Sequence, residues 1–189
     1  LAAANRLGER GAIVRNPRSV EALGRVDVLC ADKTGTLTEG RIKLRFIHDG
    51  QTQTELNALT DAHRTVLAVA LRASDPPGPR AQFSHMTDQA IYESAQEHGL
   101  DTDADADPGD DDATPWERMD DLPFEPGRGY HATMGRRGRR CTLSVKGSPE
   151  SVIAACTTVT RGDTQEPLDD EGRAALMTIA ESMASRGLR

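Results

Sequence analysis

The chain has 189 residues and a net charge of −7, with 37% hydrophobic but only 3% aromatic residues. That acidic balance, with so few rings to stack on bases, argues against nucleic acid as a partner. The longest apolar run, Val66 to Leu71, is far too short to cross a bilayer, and with a mean hydropathy of −0.56 the piece reads as soluble. Cys30, Cys141 and Cys156 are scattered, odd in number and without paired ligand spacing, which predicts buried thiols in a reducing compartment. Leu1 is not an initiator methionine and no signal peptide opens the chain, so it reads as excised from something longer.

In chain order, the alanine-rich stretch from Leu1 to Arg10 predicts a helix closed by Gly11, and Ser19 heads a short helical turn from Val20 to Leu23. Val26 to Cys30 is a short apolar run that predicts a buried strand. Arg41, Lys43 and Arg45 alternate with Ile42, Leu44 and Phe46, the period of a half-buried strand. Leu56, Leu59, Val66, Leu67, Ala70 and Leu71 mark one face of a long helix ending at Asp75-Pro76-Pro77-Gly78-Pro79, with His63 on that face as a packed or hydrogen-bonded residue. A second helix opens at Met86 with Thr87 as N-cap and Gly99 as stop.

The aspartates of 101–112 invite comparison with a calcium loop, but Ala106 stands at the sharp-turn position and Asp112 at the closing glutamate. A solvated acidic insertion is the better reading. Strands are then predicted over Asp121 to Phe124, Tyr130 to Met134 and Cys141 to Lys146, with Gly135 to Gly138 as a hairpin connection. Ser148, Pro149 and Glu150 have the chemistry of a helix start: cap, first-turn proline, and carboxylate at the positive end. Gly162-Asp163 reads as a turn. Leu168 to Ser185 reads as an amphipathic helix with Leu176, Ile179, Ala180 and Met183 inward, stopped by Gly187.

The stretch richest in chemistry is Asp32-Lys33-Thr34-Gly35-Thr36-Leu37-Thr38. A carboxylate just past a strand end lies where open α/β sheets bind ligands, Gly35 lets backbone N–H groups approach an anion, and the threonines add hydroxyls. Such a carboxylate can accept a phosphoryl group and split a hard hydrolysis into two easier steps. A plain polar turn is the bland alternative for the first four residues.

The whole run resembles the phosphorylation signature of P-type ATPases, and Val145-Lys146-Gly147-Ser148-Pro149-Glu150 resembles the Lys-Gly-Ala-Pro-Glu nucleotide motif of the same family. The resemblance implies an α/β fold: the start of a HAD-like Rossmann phosphorylation domain, then a nucleotide-binding domain with a twisted antiparallel sheet flanked by helices. Its parts would be a stalk or linker over 1–25, the first strand and phosphorylation loop over 26–40, and the nucleotide-binding domain over 41–189 with its last strand truncated. It implies Asp32 as phosphoryl acceptor beside Lys33, Thr34 and Thr36, with Mg²⁺ on Asp32 and the Thr34 backbone carbonyl. It implies that ATP is held by Asp88 (adenine amino group), Phe124 (adenine ring), Arg128, Lys146, Gly147 and Arg189. Asp88 stands where the family has a longer glutamate, and Gly129 stands at a position the family fills with lysine.

The implied activity is ATP-driven cation transport at the cytoplasmic face of a membrane, of the type II-like branch, with ATP and Mg²⁺ as cofactors and the cation carried by helices outside this chain. Two alternatives stay open: a soluble phosphatase of the haloacid-dehalogenase superfamily, and a non-catalytic nucleotide-binding module. The phosphatases usually carry a second aspartate two residues after the nucleophile, where Thr34 stands here.

Overall fold

The computed structural model describes residues 2–16, 19–79, 82–102, 114–161 and 164–188. The chain divides into two compact units, Leu1–Arg41 and Ile42–Arg189.

The first unit holds helix α1 (Ala2–Gly8), helix α2 (Ser19–Leu23) and a single π-helical turn over Lys33–Leu37. Val26 to Cys30 does not form the expected strand, and Val28 and Leu29 are 78% and 83% exposed. A buried strand needs neighbours to take up its N–H and C=O groups. Among the described residues of this unit there is no second strand to pair with.

The alternation expected from the sequence is present over 41–46. Arg41, Lys43 and Arg45 are exposed while Ile42, Leu44 and Phe46 are half-buried, but the paired strand β1 is only Phe46–His48, antiparallel to β2 (Gln53–Glu55). Helix α3 (Asp61–Arg72) starts later than the apolar pattern implied. Leu56 lies in a 3₁₀ turn over Leu56–Ala58, and His63, Leu67, Ala68 and Leu71 form the buried face while Val66 is exposed. His63 is packed as expected: Thr60 Oγ1 lies 2.6 Å from Nδ1 and the Thr52 carbonyl 3.1 Å from Nε2.

Helix α4 (Met86–Glu97) opens one residue before Thr87, with His85 at the cap, and ends as predicted at Gly99. There the Leu100 N–H donates to the Ala95 carbonyl and the Gly99 N–H to Gln96, the paired bonds of a glycine-closed helix end. The apolar core gathers Ile47, Leu67, Leu71, Ala95 and Leu100, so it lies between α3, α4 and β1.

The principal sheet is antiparallel, in the order β3 (Glu117–Leu122), β4 (Tyr130–Arg137), β5 (Arg140–Gly147). The hairpin connection is shorter than expected. Gly135 to Arg137 stay in β4, and only Gly138-Arg139 turn, with Gly138 at φ +53°. β3 ends two residues before Phe124, which lies in the following loop and is 49% exposed.

Helix α5 (Pro149–Ala155) starts as its sequence dictates, with Ser148 Oγ accepting the Ser151 N–H and proline in the first turn. A ribbon of β6 (Thr158–Arg161) and β7 (Thr164–Pro167) leads to helix α6 (Asp170–Ser185), capped by Asp169, which packs on α5 with Leu176, Ile179, Ala180 and Met183 half-buried. The expectation of buried thiols is corrected: Cys30 and Cys141 are exposed, the first in an unpaired stretch and the second on the outer face of β5, and Cys156 is only half-buried. The Gly162-Asp163 turn, Arg189 and most of the acidic segment 101–112 lie outside the described residues.

Candidate functional site

The sheet is polar on its buried side. Along β4, His131, Thr133, Gly135 and Arg137 are buried and alternate with exposed Met134 and Arg136. Register places Lys146 opposite His131 and Ser144 opposite Thr133, so these residues share the inner face. A buried polar face is the informative departure from an ordinary core.

β3 adds two more polar side chains through a bulge. Arg118 pairs with Gly135 and Asp121 with Thr133, which places residues three apart on the same side of the sheet, and the extra residue between Arg118 and Asp120 makes this possible. Gly135 is the residue that lets Trp116 lie flat against the strand: a Cβ there would come within 2.0 Å of the indole.

This inner face meets the connection from α3 to α4. Lys146 Nζ, on a side chain 23% exposed, ion-pairs with Asp88 Oδ1 and lies 3.4 Å from Ser74 Oγ. Asp88, on the first turn of α4, is fully buried, and its Oδ2 accepts the Asp75 N–H at 3.4 Å. Burial pushes the Lys146 ammonium down to about 8, against the pull of the Asp75 charge. Arg118 fixes Ser74-Asp75 from the sheet side, with Nη1 on the Ser74 carbonyl at 2.9 Å and Nη2 on Asp75 Oδ1 at 2.8 Å. A cavity of about 370 Å³ opens beside them, lined by Leu71, Ser74, Asp75, Tyr92, Trp116 and Arg118 among others, but not by Lys146 or Phe124.

The other expected residues fall as follows. Gly147 ends β5 where a Cβ would stand 2.4 Å from the Gly129 carbonyl oxygen, so only glycine allows this approach. That carbonyl accepts the Ser148 N–H at 2.9 Å, coupling the loop before β4 to the start of α5. Arg128 bridges its own loop, donating to the Pro123 carbonyl and pairing with Glu125 at 3.1 Å, with its guanidinium over the Tyr130 ring. In the first unit the exposed Asp32 carboxylate accepts the Lys33 N–H at 2.7 Å, and Gly35 has φ +76° within the turn that contains Thr34 and Thr36. Ser74, Asp75, Arg118, Asp121 and His131 were not singled out from sequence. The signal available for them was the two-residue alternation of β4, which puts His131 and Thr133 on one face.

The family model for the P-type ATPase cytoplasmic domain N matches residues 63–189, which include Asp88, Phe124 and Lys146. The chain belongs to the P-type ATPase family. Its relatives include probable cation-transporting ATPase I of Mycobacterium leprae, 37% identical over 100% of this chain and 11% of that protein. The namesake of Mycobacterium tuberculosis is 38% identical over the same shares. Cation-transporting ATPase pma1 of a Synechocystis strain is 30% identical over 98% of this chain and 22% of that protein. The chain thus spans about a tenth to a fifth of the length of these relatives. The antiparallel sheet and helices of the second unit are consistent with a P-type ATPase N domain. No helix among the described residues is long and apolar enough to cross a membrane.

Proposed function

We propose that this chain is the ATP-binding and phosphoryl-accepting portion of a cation-transporting P-type ATPase of the type II-like branch, working at the cytoplasmic face of a membrane. The observation that carries the nucleotide reading is the half-buried Lys146 ammonium at the end of β5, set on a polar sheet face and backed by a fully buried carboxylate. Such a cation is held in place before a ligand arrives, in a setting where charge is poorly screened. ATP would meet Lys146, with Phe124 stacking on adenine and Arg128 and Arg189 serving the phosphates; Gly147 would act by admitting the Gly129 carbonyl, and Asp88 would receive the adenine amino group by giving up its bond to Lys146 or to the Asp75 N–H.

Residues 26–40 would begin a HAD-like phosphorylation domain. An Asp32 carboxylate oxygen would attack the γ-phosphorus, forming an acyl-phosphate as the bond to the β–γ bridging oxygen breaks and ADP leaves. Lys33, Thr34 and Thr36 would line that loop. The exposed Asp32 carboxylate and the backbone carbonyl of Thr34 are hard oxygen donors that suit Mg²⁺, which when bound neutralises charge on the transferring phosphoryl group.

Titration with ATP of the wild-type chain, Lys146→Ala and Phe124→Ala tests the pocket: both variants should weaken binding, and an equal response in all three would overturn the assignment. In the full-length protein, Asp32→Asn should abolish acid-stable labelling from γ-labelled ATP. Labelling that persists in this variant would rule out Asp32 as acceptor.

A further inference from the structure

We infer that Asp75, Asp121 and His131 form a binding site for a first-row transition dication of the zinc class, a site that stands on these residues whether or not Lys146 binds nucleotide. His131 is 3% exposed, and its Nδ1 lies 2.8 Å from the Ala73 carbonyl oxygen, to which it donates its proton. That bond makes Nε2 the nitrogen whose lone pair a neutral imidazole would offer to a metal, and this nitrogen is buried and makes no hydrogen bond. It faces two carboxylates, with Asp75 Oδ1 at 3.6 Å and Asp121 Oδ2 at 4.0 Å. One oxygen of each carboxylate and a ring nitrogen of His131 all lie within 4.8 Å of one another.

An imidazole whose second nitrogen is fixed by a backbone carbonyl is the usual outer arrangement of a metal-bound histidine. Bonds of about 2.1 Å in a tetrahedral site place neighbouring donor atoms about 3.4 Å apart, so the histidine–carboxylate gaps would close by about 0.2 and 0.6 Å, and the two carboxylate oxygens, now within 4.8 Å of each other, would draw together as well. One imidazole with two carboxylates favours zinc and its neighbours over magnesium, which takes oxygen donors. The two carboxylate side chains are 30% and 39% exposed, which leaves an entry path and room for water as a fourth ligand.

Arg118 is the competitor. Its Nη2 lies 2.8 Å from Asp75 Oδ1 and 3.5 Å from Asp121 Oδ1, holding the carboxylates together. It satisfies the carboxylates and leaves the imidazole nitrogen without a hydrogen bond. A dication would satisfy all three groups and displace Nη2, while Nη1 keeps its bond to the Ser74 carbonyl. Because Asp75 also donates its backbone N–H to Asp88, occupancy would be felt at the Lys146–Asp88 pair.

The test is calorimetric titration of the chelator-treated 189-residue chain with Zn²⁺, in a background with Cys30, Cys141 and Cys156 changed to serine so that thiolates contribute nothing. Co²⁺ is the spectroscopic probe of a four-coordinate site. One equivalent should bind. Asp121→Asn, at a half-exposed position, should bind roughly tenfold more weakly and His131→Gln should lose the site, while Arg118→Met should bind roughly tenfold more tightly. Absence of binding in the parent chain would overturn the inference, as would parent-like affinity in both Asp121→Asn and His131→Gln.

Discussion

Raising the pH is the sharpest test of Lys146, because its ammonium titrates near 8 whereas an ordinary lysine stays charged to about 10.5. At pH 7 about nine-tenths of the molecules carry the charge, at pH 8 about half and at pH 9 about one-tenth. If nucleotide binds only the ammonium form, the apparent Kd weakens about twofold at pH 8 and about elevenfold at pH 9 relative to the fully charged protein. The nucleotide's phosphates are ionised throughout this range, so the slope belongs to the protein. Binding should also take up a proton near pH 8, seen as a dependence of the calorimetric heat on the buffer's ionisation enthalpy. The assay is ADP titration from pH 7.5 to 9.5 of the wild-type chain and Lys146→Met. A flat wild-type profile, or the same slope in Lys146→Met, would refute the reasoning.

Stability should respond to the same group. Because the folded value lies below the unfolded one, the unfolded chain holds more protons between about 8 and 10.5, and stability rises with pH across that window. Urea midpoints should climb there in the wild type, and Lys146→Met should lack that climb. Gly135→Ala, which drives a Cβ to 2.0 Å from the Trp116 ring, should cost about 1–3 kcal/mol, or about 2–4 °C of Tm per kcal/mol, in thermal unfolding.

Local chemistry was legible where neighbours in sequence decide the outcome. The Ser148 cap, Pro149 in the first turn and the glycine stops at Gly99 and Gly187 all follow from residues within a few positions. The motifs around Lys146 and Asp88 single out both residues but not the ion pair that joins them across 58 positions. Nothing local links Arg118 to Ser74, 44 positions away, or His131 to Ala73, 58 positions away, so this side of the site appears only once the sheet meets the α3–α4 connection. The Val26 to Cys30 run shows the opposite limit: its composition is that of a strand, but composition cannot supply a partner.

The bulge in β3 marks where that strand can change length. Strand side chains alternate strictly, so removing Met119 would leave Arg118 and Asp121 two positions apart and still on the inner face, opposite Gly135 and Thr133 in a ladder without a bulge. Met119, half exposed and without a β4 partner, is thus a position where a deletion should be tolerated, whereas a deletion within the unbroken β4–β5 ladder would put neighbouring inner-face residues on opposite sides.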